Sequence, residues 1–294
     1  MKILVVGGTQ FIGIHLVERL LAAGNEVTIA TRGKAKDSFG TSVDRIIIER
    51  TDSESIYREL KGKFYDVVYD SQAYSSNEIK YLLDTVDCGK YIETSTVSVY
   101  FPNFKPALPE SDFDPYSYPL KWCYRDDFGY DEIKRQAECA MFQTYSHIPC
   151  VAVRFPIVIG ADDYTKRLYF YLEHIVKSKP MHIDNLTTKM EFIMSSEAGK
   201  FLAWLADKNF SGSINAANHG SVSLAEIIKY VESMSGANAI ISENGEQSPF
   251  NGFPEYGLNL ERAERLGYTF PNLATPLYNL LDRYIEIASK IGGE

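Results

Sequence analysis

Over the first half of the 294-residue chain, short apolar runs alternate with longer amphipathic stretches. The runs KILVV (Lys2 to Val6), EVTIA (Glu26 to Ala30), RIIIE (Arg45 to Glu49), DVVYD (Asp66 to Asp70), YIETS (Tyr91 to Ser95) and CVAVRF (Cys150 to Phe155) predict strands, being short and rich in Val and Ile. Most are separated by enough chain for a crossover helix, which predicts a doubly wound parallel sheet of the α/β class. The first helix is clear: Ile12, Leu16 and Leu20 recur at i, i+4, i+8, Val17 and Leu21 widen the stripe, and Gly24 supplies a C-terminal stop.

After about residue 155 the rhythm changes. Tyr-rich, Pro-punctuated segments such as KRLYFYLEHIVKSKPMHIDN interrupt the alternation, followed by a short helix near Glu261 to Leu266 and a final one near Thr275 to Ile287. We expect a core domain over 1–155 and a smaller, mainly substrate-binding C-terminal lobe over 156–294, with elements of 196–235 returning to the core. Neither an internal repeat nor a low-complexity linker interrupts the chain.

Composition narrows the partners. Lys and Arg total 30 against 39 Asp and Glu, a net charge of −9, without a basic block or stripe, so nucleic acid is not an expected partner. Cys88, Cys123, Cys139 and Cys150 form no CxxC pair, and the five histidines show no ligand spacing, which predicts reduced thiols and no metal site. No 18-residue apolar run or leader-like segment is present, so a soluble, cytoplasmic protein without membrane contact is expected.

The first strand runs into GGTQFIG (Gly7 to Gly13) and then a helix, the arrangement that turns backbone N–H groups and the positive helix end toward an anion. This is a Rossmann-type phosphate turn with one change: Gly7 supplies the tight turn and Gly13 close helix packing, but Gln10 holds the middle glycine slot. Thr9, Gln10, Phe11 and Ile12 belong to the same expected cofactor-binding turn.

Four segments taken together, GGTQFIG, STVSVY (Ser95 to Tyr100), YDEIK (Tyr130 to Lys134) and RFPIVIG (Arg154 to Gly160), resemble in their order the extended branch of the short-chain dehydrogenase/reductase superfamily, the NAD-dependent epimerases and dehydratases. The GGTxFIG form is similar to a divergent subset of that family, some plastid members of which bind RNA. For this acidic chain the RNA reading lacks the electrostatic footprint it needs. The resemblance implies a nicotinamide dinucleotide cofactor, a small-molecule substrate and a homodimer formed through helices on the sheet face, including the Tyr130 helix.

Tyr130 and Lys134 lie at i, i+4 and share one helix face, where the ammonium favours phenolate and enables proton transfer near neutral pH. The resemblance further implies that Lys134 holds the nicotinamide ribose and that Thr96 hydrogen-bonds the reacting oxygen. The alternatives are a solvated helix pair for Tyr130 and Lys134 and a turn or cap residue for Thr96. At the end of the second strand ATRGKAK places Thr31 where the family carries an acid, with Arg32 next. A hydroxyl and a guanidinium suit a 2′-phosphate, so NADP is expected over NAD, with help from Lys34 or Lys36. By resemblance Glu49 or Asp52 would lie near the adenine, though either could cap a helix, and Ser71 completes the cofactor set.

Two departures limit the substrate. Val97 and Ser98 follow Thr96 where sugar dehydratases carry an Asp-Glu pair, and Ile157 stands where many nucleotide-sugar members place an asparagine. Arg167, Lys189 and Arg262 remain as candidates to meet a phosphate. The expected activity is oxidation, reduction or epimerisation at a carbonyl/hydroxyl carbon through Thr96, Tyr130 and Lys134; the alternative is a nucleotide-binding regulatory or scaffold protein of the same fold without turnover.

Overall fold

The computed structural model describes residues 1–290. Seven parallel strands, β1 (Lys2–Val6), β2 (Glu26–Thr31), β3 (Asp44–Ile47), β4 (Val67–Asp70), β5 (Tyr91–Thr96), β6 (Cys150–Phe155) and β9 (Gly212–Asn215), form one sheet. Their order is β9-β6-β5-β4-β1-β2-β3, so the winding direction reverses between β1 and β4 and opens a crevice at the strand C-termini. The doubly wound sheet expected from the alternation is present. Its seventh strand, GSIN, is too short and too polar to have stood out.

Alternate residues of β1 feed opposite faces. Ile3 and Val5 join a cluster with α1 (Ile12–Ala22) and α6 (Ser195–Trp204), whereas Leu4 and Val6 join one with α2 (Ser53–Leu60), α3 (Ser76–Leu83) and α4 (Tyr130–Gln143). The α1 stripe buries Leu16, Val17 and Leu20, and the chain leaves the helix through Gly24 at φ +77°. Helices α1 and α6 approach so closely that a Cβ on Gly199 would stand 2.7 Å from the Leu16 amide nitrogen.

A third cluster builds the smaller lobe from β7 (Ile157–Ile159), β8 (Lys189–Met194) and β10 (Ser221–Ser223) with α5 (Arg167–Val176), α7 (Leu224–Ser235) and α9 (Ala274–Lys290). The short α8 (Glu261–Arg265) precedes α9. Residues 195–215 return to the large sheet as α6 and β9. No described helix is long and apolar enough to cross a membrane.

Two ion pairs dock α4 on the sheet. Glu138 and Arg154 are both fully buried, joined by Nε to Oε1 at 3.0 Å and Nη2 to Oε2 at 2.6 Å. Arg154 also donates to the Tyr100 hydroxyl, the Glu110 and Phe113 carbonyls and the Ser213 hydroxyl, so one guanidinium ties β6 to α4, β9 and the 100–113 segment. The second pair joins Lys134 to Glu93 of β5 at 2.5 Å. Removing one member of a buried pair leaves its partner's charge without water or counterion. Arg154→Met should therefore lower unfolding free energy by about 3–5 kcal/mol in denaturant titration, and adding Glu138→Met should recover much of it. A loss below about 1 kcal/mol contradicts this role.

Candidate active site

At the crevice a cleft of about 590 Å³ is walled by the glycine turn, the ends of β1 and β2, and residues 48–51, Ser71, Gln72, Tyr74, Thr94, Arg125 and Tyr164. Gly7 and Gly8 adopt φ +106° and +94°, conformations that a side chain resists. A Cβ on Gly13 would stand 2.7 Å from the Gly8 Cα, so α1 can press on the turn only because both are glycines. Gly8 had no assigned role in the sequence reading. Gln10 is exposed and is not among the positive-φ residues; the left-handed position is Phe11, at φ 52°, whose ring meets Tyr164 edge-on at 6.1 Å. The middle glycine slot thus accepts Gln10 without backbone strain. Thr9 and Ile12 complete the wall.

The far end of the cleft is basic. Thr31 accepts a hydrogen bond from the Gly33 amide at 3.1 Å, and Arg32 and Lys34 are exposed beside it with no ion-pair partner among the described residues. Arg50 is buried: Nε and Nη2 bond Asp70 at 3.1 and 2.5 Å, and Tyr91 donates to the same carboxylate oxygen. Its remaining Nη1 is buried without a partner in a residue that lines the cleft, as a site awaiting an acceptor would be. Glu49 and Ser71 line the same cleft. Asp52 does not: its carboxylate accepts from the Glu54 amide at 2.9 Å and caps α2, the alternative open from the sequence. Lys36 also lies outside the lining.

At the β5 end the structure brings Thr96, Tyr130 and Lys134 together. Thr96 closes β5, and its Oγ1 accepts from the Ser98 amide at 3.2 Å as the cap of the 97–100 turn, on the side of the strand end that faces Tyr130. Tyr130 opens α4, half exposed, with Asp131 and Glu132 in the first turn favouring the helix dipole. Desolvation of its hydroxyl raises the phenol pKa against the opposing pull of Lys134 and Thr96. The Tyr74 ring packs on Tyr130 at 6.0 Å and lies 5.9 Å from the Lys134 ammonium.

Lys134 departs from the expectation. It is buried, and its three N–H bonds meet three protein acceptors: Glu93 Oε1 at 2.5 Å, the Ala73 carbonyl at 2.9 Å and the Thr94 carbonyl at 2.9 Å. No donor is left over for a ribose in this arrangement. Burial pushes the Glu93 carboxyl up to about 7, against the pull of Lys134. Burial is the largest single influence on the Lys134 ammonium and works against it, but Glu93, Tyr130 and Glu138 together raise that pKa. Glu93, Tyr74, Gln72, Thr94, Arg125 and Tyr164 were missed from the sequence. A glutamate inside a strand pattern was the one available signal.

The flanks answer two other expectations. Residues 113–122 fold over α4. Gln143 donates to the Pro115 and Tyr118 carbonyls at 2.7 Å each, Gln136 donates to the Pro119 carbonyl at 3.1 Å, and Gln136 accepts from the Lys121 amide at 2.6 Å. Ile133 to Phe142 are consequently buried within one chain, so α4 offers no bare helix face to a second copy. Of the cations expected to meet a phosphate, Lys189 pairs with Glu226, and Arg262 donates to the Ser213 carbonyl beside Glu110. Arg167 donates to the Thr165 hydroxyl at 3.2 Å and has no ion-pair partner among the described residues. No described group of three or more His, Cys, Asp and Glu side chains is placed to hold a metal ion.

A model of the NAD dependent epimerase/dehydratase family matches residues 3–217. Chloroplast stem-loop binding protein of 41 kDa b of Arabidopsis thaliana is 30% identical over 131 residues, 40% of this chain and 35% of that protein, so the match spans about a third of that relative's length. UDP-glucuronic acid 4-epimerase of Bacillus cereus, solved with UDP-glucuronic acid and NAD, superposes with a TM-score of 0.73 at 20% identity over 99% of this chain and 100% of that one. UDP-glucose 4-epimerase of Thermotoga maritima, solved with UDP-glucose, gives 0.72 at 17% identity over 99% of each chain. These identities establish a shared fold, and with the family match over most of its length the chain belongs to the NAD-dependent epimerase/dehydratase family.

Proposed function

We propose that this chain is an NADP(H)-dependent oxidoreductase or epimerase acting at a carbonyl/hydroxyl carbon of a small substrate, through Thr96, Tyr130 and Lys134. The observation that carries this reading is the convergence of those three side chains beside Thr94 and Tyr74, two residues that line the cleft holding the glycine turn, Arg32 and Lys34. When bound, the dinucleotide supplies or takes up hydride at the carbon. Tyr130 exchanges a proton with the substrate oxygen, Thr96 donates a hydrogen bond to that oxygen as charge develops, and Lys134 biases the phenol electrostatically. Arg50 Nη1, buried without a partner among the described residues, the Ser71 hydroxyl, which accepts from Thr94 and keeps its own hydrogen to donate, and the backbone amides of the Gly7 to Gly13 turn at a helix start fit the dinucleotide. Arg32 and Lys34 fit a 2′-phosphate, with NAD the weaker ligand.

The substrate is open between a sugar nucleotide, the ligand named for the two epimerases, and a smaller carbonyl compound. Ile157 and the engagement of Lys189 and Arg262 by protein partners favour the smaller compound. The second reading, a nucleotide-binding scaffold without turnover, draws on the relative named for stem-loop binding and on the closed hydrogen-bond set of Lys134. The net charge of −9 speaks against RNA as the partner. A soluble cytoplasmic setting suits four free cysteines. A homodimer belongs to the reading as well, with the 113–122 cover and its exposed Tyr116 and Trp122 replacing the bare α4 face; sedimentation showing monomer alone at micromolar concentration contradicts it.

Fluorescence titration tests the cofactor. NADPH should bind the wild type about ten- to a hundredfold more tightly than NADH, and Arg32→Ala should erase most of that preference; an unchanged ratio contradicts the assignment. For the chemistry, nicotinamide absorbance is followed over a panel of ketones and sugar nucleotides. Tyr130→Phe should retain NADPH binding while turnover falls by a factor on the order of a hundred to ten thousand. Full activity in Tyr130→Phe, or no turnover by the wild type on any substrate, moves the reading to the scaffold.

A further inference from the structure

Glu93 is a carboxylate in the middle of a central strand, wholly out of water, where only a matched cation makes an ionised side chain tolerable. Its partner is the same ammonium that tunes Tyr130. One oxygen, Oε1, takes Lys134 at 2.5 Å, while Oε2 is buried without any partner, so no other donor shares the charge. The Ala73 and Thr94 carbonyls complete the cage around Nζ.

The neighbouring charges are already paired. Asp70 belongs to Arg50, Glu138 to Arg154 and Glu78 of α3 to Arg125. Asp131 and Glu132 of α4 belong to Arg135, and Lys80 of α3 pairs with Asp84. The other titratable group against the phenol is the Tyr74 ring. Lys134 and Glu93 are thus the charges that act on Tyr130 without a third partner, and they oppose each other.

We propose that Glu93 is a positioning residue that engages the Lys134 ammonium, withholds it from the cofactor ribose and holds Tyr130 as a proton donor, fitting the site to carbonyl reduction rather than alcohol oxidation. This rests on the reading of Thr96, Tyr130 and Lys134 as the reacting centre. In the favoured direction the carbonyl carbon is reduced by hydride from the dinucleotide, which is oxidised. The Tyr130 O–H bond breaks as a new O–H bond forms on the substrate oxygen, and the phenolate oxygen takes a proton back from water that enters when the product leaves. In the reverse direction Tyr130 would have to act as phenolate, the form that the Glu93 charge disfavours.

The experiment is an alkaline titration of tyrosinate absorbance on the full chain without ligand, with Tyr130→Phe subtracted to isolate one of 20 tyrosines. In the wild type the Tyr130 midpoint should lie at or above the ordinary 10.0. Glu93→Gln, which keeps the shape and removes the charge, should move it down by about one unit, a tenfold change in phenol acidity. A purely structural role for Glu93 would not move that midpoint. A wild-type midpoint below 10.0, or an unmoved midpoint in folded Glu93→Gln, overturns the proposal. Should Glu93→Gln fail to fold, Glu93→Asp, which keeps the charge but shortens its reach to Lys134, should lower the midpoint in the same direction, and an unmoved midpoint there overturns the proposal. Because no dinucleotide or substrate enters the titration, its failure is separate from a failure to bind NADPH or to turn over.

Discussion

The Glu138–Arg154 pair is the constraint from which the site hangs. A carboxylate and a guanidinium with no solvent contact are tolerable only in a fixed, fully bonded geometry, and that geometry fixes α4 against β6 and β9. Tyr130, Lys134 and Glu138 recur at i, i+4, i+8, so docking the last of them presents the other two to the ends of β4 and β5. The same guanidinium holds the Glu110 and Phe113 carbonyls, and from there the chain folds back over the outside of α4. One buried contact therefore sets the reach of the phenol and the cover above its helix.

The chain carries a net charge of −9, yet the cleft gathers Arg32, Lys34, Arg50 and Arg125 against one lining carboxylate, Glu49. Placement, not composition, decides the local field. Two of these cations are pinned by carboxylates, Arg50 by Asp70 and Arg125 by Glu78, which holds their remaining donors in place at the wall. The Gln10 substitution is a backbone matter. Gly8 and Gly13 carry the close approach and Phe11 takes the left-handed conformation, so a side chain at position 10 points to solvent at no steric cost.

Much of this could be read from the residues. The six strand runs and the α1 stripe were legible because apolar periodicity reports burial directly, and YDEIK and STVSVY were legible because helix and strand geometry carry short spacings into space. What the sequence hid depends on contacts between distant segments. Asp52 reads equally as a ligand or a cap until the Glu54 amide is seen to take it. Glu93 sits in a strand whose alternation says nothing of a lysine 41 residues later. The Pro- and Tyr-rich 101–122 stretch has no period, and only its bonds to Gln136 and Gln143 reveal it as the cover of α4.

A structure with NADPH bound reads these relations at once. The adenosine phosphate should lie beside Arg32 and Lys34, the pyrophosphate at the Gly7 to Gly13 turn and the nicotinamide within reach of Tyr130 and Thr96, with Lys134 still bonded to Glu93. A dinucleotide bound away from the glycine turn, or Lys134 withdrawn from Glu93 onto the ribose, would contradict them.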